Sequence, residues 1–310
     1  MHLDDHRIKV SVIGLGHVGT ALTQLLLGCR DHAFQLNLVD PSPDVEGSFL
    51  DLAHAAAVLG RHSIARNDPA LLARSRFIFH AAGENSSPGA SRNSVMAANI
   101  RLTRQIFGST DFRPDARIIV VTNPVDIISY HAWKSSGLPA AQVIGTGTLL
   151  DSHRLQWILH QRKDVPLEAV KALVLGEHGA TMTPIYSQTS FGSVSGNCLG
   201  PEEQADLTAE LRGSATRIRQ TAEATKWAPA ASAYELMRAF LDPPPQHLAA
   251  SVLLDEGLRG RLGVGEMYFG MPARFDENGC HCDLNVEMAE TEWEALRGSA
   301  LVVQGLLGGK

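Results

Sequence analysis

Two stretches far apart in the chain carry side chains that suit one proton-transfer centre. Gly176-Glu177-His178-Gly179 sets a histidine between glycines, and Asp151-Ser152-His153-Arg154 places a carboxylate and a guanidinium three residues apart. A histidine that exchanges a proton needs an anion to fix its tautomer and stabilise its charged form. A guanidinium can grip a carboxylate through two parallel hydrogen bonds. Positions i and i+3 share one face of a helix, so Asp151 could orient His178 while Arg154 holds a small acid beside it.

The elements that must position these groups begin at the N-terminus. The β-rich run Ile8–Ile13 leads into Gly14-Leu15-Gly16-His17-Val18-Gly19, and an apolar helical pattern follows over residues 21–27. Strand, glycine turn and helix form the context in which G-x-G-x-x-G marks a dinucleotide site. Gly14 permits the tight turn, Gly16 lets the backbone approach a pyrophosphate, and Gly19 lets helix and strand pack closely. The amides of the helix start, around His17 and Val18, then face phosphate. A second strand over residues 35–39 ends in Asp40, 21 residues after Gly19. A carboxylate there accepts from both ribose hydroxyls and repels a 2′-phosphate, which favours NAD over NADP. The competing reading of Asp40 is a turn former before Pro41 and Pro43, and the glycines alone would serve FAD equally well.

Further strand-like runs at Phe77–His80, residues 117–121 and residues 142–144 alternate with helical stretches. Apolar runs separated by helices imply a parallel sheet covered on both faces. The expected fold is therefore α/β: a Rossmann doubly wound parallel sheet over residues 1–145 and a mixed α+β substrate domain over residues 146–310. Ala82 and Gly83 close the fourth strand where a dinucleotide crosses the carboxyl edge of the sheet. The small, polar residues 84–91 suit a lid. Thr122 and Asn123 follow the fifth strand, and a cis bond is expected at Asn123-Pro124. Beyond them, Pro201–Arg219 and residues 229–241 read as helices, residues 248–254 and 267–275 as strands, and residues 288–307 as a closing amphipathic helix. Residues 280–286 alternate like a strand.

Bulk properties exclude several classes. A net charge of −6 over 310 residues argues against a broad nucleic-acid surface. No apolar stretch approaches the roughly 20 residues needed to cross a bilayer, and the polar residues 1–7 are unlike a secretory leader. Four cysteines (Cys29, Cys198, Cys280, Cys282) are too sparse for a disulfide scaffold and suggest a cytoplasmic protein. Cys280-His281-Cys282 lacks the spacing and second ligand pair of a zinc motif, so no metal is expected.

With these residues assembled, the chain resembles the lactate/malate dehydrogenase family along nearly its whole length, particularly its bacterial and archaeal malate-dehydrogenase-like branch. The resemblance rests on Gly14-Leu15-Gly16-His17-Val18-Gly19, Asp40, Asp51-Leu52-Ala53-His54 and Pro88-Gly89-Ala90-Ser91-Arg92. It continues in Thr122-Asn123-Pro124-Val125-Asp126, Gly145-Thr146-Gly147-Thr148 with Asp151 and Arg154, Gly176-Glu177-His178-Gly179, and Ala224-Thr225-Lys226-Trp227-Ala228-Pro229. It implies NAD as cofactor, a small L-2-hydroxy or 2-oxo acid as substrate, and a homodimer or homotetramer, with Asp51-Leu52-Ala53-His54 on a helix at the dimer interface.

By the same resemblance His178 is the proton donor and acceptor, Asp151 its orienting anion, and Arg154 the clamp on the substrate C1 carboxylate. Arg92 rides on the lid and polarises the C2 carbonyl, Asn123 contacts substrate and lid, and Thr225 lies on the pocket wall. Two departures stand out. Ala180 replaces the Asp that often ends the family's Gly-Glu-His-Gly-Asp. Ser86 occupies the lid position where malate dehydrogenases typically carry Arg and lactate dehydrogenases Gln. Ser86 cannot pair a second carboxylate by charge, which favours a lactate-type or larger monocarboxylic substrate. The alternatives are a malate dehydrogenase whose cation has moved, with Lys226 as candidate, and an inactive NAD-binding paralogue. An NAD-dependent glycosidase sharing the nucleotide lobe would need a metal site and leave His178 and Arg154 without a role.

Overall fold

In the computed structural model, residues 6–84, 92–244, 247–283 and 286–308 are described. The first half is a repeating strand–helix unit: β1 (Ile8–Ile13), α1 (His17–Leu27), β2 (Phe34–Val39), α2 (Glu46–Leu59), β3 (Ser63–Arg66), α3 (Pro69–Ala73), β4 (Phe77–His80), α4 (Arg92–Gly108), β5 (Arg117–Val120), α5 (Val125–Ser136) and β6 (Val143–Gly145). These six strands pair in parallel in the order β6-β5-β4-β1-β2-β3. Chain order reverses between β1 and β4, and a crevice opens there beyond the strand ends. Continuous apolar strands explain the arrangement. Phe34, Leu36, Leu38, Phe77, Ile78 and Phe79 are fully buried, as expected of strands covered on both faces. Asn123-Pro124 is cis.

The second half contributes α6 (Leu149–Lys163), the short strands β7 (Val170–Lys171), β8 (Val174–Leu175), β9 (Thr183–Pro184), β10 (Ser190–Phe191) and β11 (Val194–Ser195), and the long helices α7 (Pro201–Arg219) and α8 (Trp227–Leu241). It ends with β12 (Leu248–Leu253), α9 (Glu256–Leu262), β13 (Tyr268–Phe275), β14 (Cys280–Cys282) and α10 (Glu290–Leu307).

The antiparallel strands of this half divide: β12, β13 and β14 extend the nucleotide sheet to nine strands, with Ser251 pairing Gly145, while β7, β10 and β11 form one small sheet and β8 and β9 another. Gly145 makes the join possible, since a Cβ there would lie 2.9 Å from the Cβ of Ser251. The edge of β6 is thereby covered rather than left as a template for aggregation. The strand expected over residues 280–286 is shorter, ending at Cys282. All four cysteines are free. Among the described residues no helix is long and apolar enough to cross a membrane, and no group of three His, Cys, Asp or Glu side chains is placed to hold a metal ion.

Candidate active site

The crevice at the sheet reversal is a cleft of about 2040 Å³. Gly14 turns the chain at φ +93°, and a Cβ there would meet the backbone of Ala82 at 2.5 Å. A Cβ on Gly19 would lie 1.8 Å from the carbonyl oxygen of Gly14, so only glycine lets α1 pack this close to β1. Gly16 is different: nothing lies within 4 Å of the position its Cβ would take. It caps α1 without a side-chain hydrogen bond, leaving the helix amides open to the cleft. Gly16, His17, Val18, Asp40, Ala82 and Gly83 all line this cleft, whereas Gly19 is spent on packing.

The Asp40 carboxylate is braced by two backbone amides, Leu15 on Oδ2 (2.9 Å) and Ser42 on Oδ1 (3.0 Å), and its remaining lone pairs can accept ribose hydroxyls. This open glycine turn with a carboxylate at its rim fits NAD. Thr122 faces the other way. Its hydroxyl donates to the carbonyls of Ala82 (2.8 Å) and His80 (3.0 Å), so it fixes the cleft floor from behind. Asn99 on α4 was not anticipated from sequence. Its amide donates to the Asn123 carbonyl (3.0 Å) and accepts from the Glu84 amide (2.7 Å), which ties together the turns after β4 and β5.

The cleft runs on into a second chamber of about 450 Å³, and Asn123, His178 and Thr225 lie on the walls of both. His178 Nδ1 donates to Asp151 Oδ2 at 2.6 Å, while Arg154 Nη1 donates to Asp151 Oδ1 at 2.9 Å. The i, i+3 spacing thus brings both groups to one buried carboxylate. The Asp151 side chain is wholly buried and that of His178 is 22% exposed, leaving the ring edge toward the chamber. Burial opposes the histidine's charge, yet Asp151 outweighs it through charge and hydrogen bond, so the His178 pKa is raised above its usual value. Burial likewise opposes ionisation of Asp151, but His178 and then Arg154 hold its carboxyl below the usual range.

The loop bearing His178 is held by several elements. Gly176, at φ +92°, donates to the Gly270 carbonyl on β13 (2.8 Å), and the Glu177 amide donates to Ser299 Oγ on α10 (2.9 Å). Arg92 opens α4, and its side chain, like Ser86, lies outside the described residues. Lys226 does not line the chamber; its ammonium sits over the Trp227 ring, 5.0 Å from the centroid. Arg212 and Arg219, both on α7, do line it. Sequence reading missed them because they look like the solvated face of a helix.

A switch-point cleft that fits a dinucleotide, opening onto a histidine–carboxylate pair and a guanidinium, defines a nicotinamide-dependent oxidoreductase of small acids. Comparison with known proteins agrees. The NAD binding domain model of lactate/malate dehydrogenase matches residues 8–145, and the alpha/beta C-terminal domain model of the same family matches residues 148–304. L-lactate dehydrogenase A of Hordeum vulgare is 34% identical over 94% of this chain and 84% of its own length. Malate dehydrogenase of Thermomicrobium roseum is also 34% identical, over 97% of both chains. Malate dehydrogenase of Cryptosporidium parvum superposes with a TM-score of 0.86 at 26% identity, covering 98% of both chains. The chain belongs to the lactate/malate dehydrogenase family and is an NAD-dependent enzyme.

Proposed function

We propose that the chain interconverts an L-2-hydroxy acid and its 2-oxo acid, with His178 exchanging the proton, Asp151 orienting the histidine and Arg154 gripping the C1 carboxylate. The main support is the run of contacts from His178 through Asp151 to Arg154, set where the cofactor cleft opens into the chamber. NAD, when bound, accepts or returns the C2 hydrogen together with two electrons. In oxidation neutral His178 takes the hydroxyl proton at Nε2 as the C2–O bond becomes a carbonyl; in reduction the protonated ring gives it back. Asp151 stabilises the imidazolium through Nδ1. Arg154 spends Nη1 on Asp151, so its remaining donors are free for the substrate carboxylate. Arg92 polarises the C2 carbonyl, Asn123 positions it, and Thr225 forms the opposite wall.

The test is direct. His178→Ala should lower turnover by on the order of a thousandfold or more while NADH still binds. Asp151→Asn should cost less, with the larger loss in reduction, where the ring must be charged. Near-normal turnover in His178→Ala would end this reading.

For the substrate, Ser86 supports a monocarboxylic acid of lactate type or larger, because a second carboxylate in a closed site needs a paired cation. A specific observation supports a second reading. The chamber is lined by Arg154, Arg212 and Arg219, and no Asp or Glu side chain is among its described lining residues. Arg212 is fixed by donating to the Met182 carbonyl (2.9 Å). Guanidiniums on α7 are therefore placed to hold a second substrate carboxylate.

A further inference from the structure

His153 stands beside Arg154 on α6, yet its ring reaches across to α8. Its Nε2 meets Glu235 Oε2 at 2.7 Å, and its Nδ1 meets Gln156 Oε1 at 3.1 Å. The Gln156 amide cannot be turned round. Its Nε2 donates to the carbonyls of Val170 (2.9 Å) and Leu167 (3.2 Å), which only accept, so Oε1 must face the histidine. Both ring nitrogens therefore point at oxygens that only accept. A neutral imidazole has one N–H and would leave a lone pair against one of those oxygens, whereas the imidazolium donates to both.

The contact joins two walls of the chamber. Leu150 and Arg154 line it from α6, and Pro229 and Ser232 line it from α8, with Ser232 one turn before Glu235. Thr225, just ahead of α8, belongs to the same lining. A simple surface ion pair would engage one nitrogen; here the second is met by an amide that is itself fixed to β7 and the turn before it. We propose that His153 is a positioning residue for the substrate chamber: an imidazolium that latches α8 to α6 and so sets how closely Pro229 and Ser232 approach Arg154. This rests on the proposed 2-oxo acid reduction, with the substrate in this chamber.

Among the described residues Glu235 from α8 is the charged group that faces His153, and Gln156 from α6 the polar one. The Glu235 hydrogen bond raises the histidine's pKa above its ordinary value; burial works against the rise, and the Glu235 charge and Gln156 add to it. The latch is therefore fully made below the ordinary histidine value and is lost as pH rises through the higher one. The buried side chains of Ala230, Ala233, Leu236 and Met237 keep α8 in place when the latch opens. The pair is also partly exposed, 44% for the His153 side chain and 37% for that of Glu235. Its loss thus loosens one wall and leaves the site standing.

The experiment is the ratio of kcat/KM for 2-oxoisovalerate to that for pyruvate, with NADH, as a function of pH, alongside the imidazole proton resonances of His153. Protonation of His178 enters both reductions alike and cancels in the ratio, whereas room for the branched side chain does not. In the wild type the ratio should rise about two- to threefold, the scale of a part-exposed ion pair, over the pH range in which His153 titrates. His153→Arg, which keeps a cation and its donors, should hold the ratio flat at its low-pH value, and His153→Gln should hold it flat at its high-pH value. Glu235→Gln, the mildest change, should move the step in the ratio and the His153 titration together to lower pH; it serves if neither His153 variant folds. A ratio that ignores the titration of His153, or that keeps the wild-type step in His153→Gln, would overturn the proposal. Near-normal turnover in His178→Ala would instead strike the reading on which it rests, so the two failures are distinguishable.

Discussion

At the scale of single residues, Asp40 shows how a position acquires a function. Leu15 and Ser42 amides hold its carboxylate in place at the cleft rim. The neighbouring guanidinium of Arg66 is engaged by Glu46 and the Ser42 carbonyl and does not neutralise it. A 2′-phosphate would meet an uncompensated negative charge. NADH should accordingly be preferred over NADPH, and Asp40→Ser should narrow the kcat/KM ratio by about tenfold or more, the worth of one charge–charge contact. Equal use of both cofactors by the unmodified protein would show that Asp40 does not read the ribose. The place of Asp40 at the cleft was legible in the sequence, because a glycine turn and an acid at the end of the next strand are set by local chemistry. The pairing of Asp126 with Ser251 was not, since it joins residues 125 positions apart and neither neighbourhood announces it.

At the scale of elements, the two substrate readings divide between Ser86, in the segment before α4, and the far end of α7. A charged side-chain pocket costs affinity for neutral substrates, and a neutral one excludes a second carboxylate. If the lid decides, oxaloacetate should be a poor substrate and Ser86→Arg should shift kcat/KM toward it by about tenfold or more. If α7 decides, the natural protein should favour oxaloacetate over pyruvate and lose that preference in Arg219→Ala. A screen of both acids, with branched and aromatic analogues, against the three proteins separates the two outcomes. The helices α7, α8 and α10 and the strands β12 and β13 could be read from sequence within a residue or two, because uninterrupted apolar strands and amphipathic helices carry strong periodic signals. The two-residue strands β7 to β11 could not, as a pair of residues has no period. The edge strand β3, only half-buried along its length, gave no apolar run to recognise.

For the whole molecule, the nucleotide sheet is continuous with β12 to β14 of the second half, and its centre contains a neutral histidine. His80 on β4 is fully buried against Phe107, and its Nε2 meets Thr103 Oγ1 at 2.9 Å. Burial depresses its pKa from 6.5 to about 3. Between those values the unfolded chain binds a proton that the folded one refuses, so stability falls as pH drops below about 6.5 and goes on falling until about 3. The slope contributed by this one group approaches about 1.4 kcal/mol per pH unit. His80→Gln, which keeps a polar partner for Thr103, should flatten the acid limb of stability between about pH 6 and pH 4.5 in denaturant titrations. An unchanged limb would mean that His62 or His131, also depressed by burial, dominates instead.

The brace that α10 gives the loop bearing His178 has a consequence for how the enzyme is made. Ser299 receives the Glu177 amide and meets the Thr181 hydroxyl, and Glu292 receives the Ser187 amide and hydroxyl. Synthesis delivers the chain from its N-terminus at about 5–20 residues per second, so the glycine turn and Asp40 emerge well before α10, whose Val302 and Leu306 also line the cleft. In a nascent chain the loop bearing His178 therefore lacks these supports, and the cleft part of its wall, until α10 has emerged.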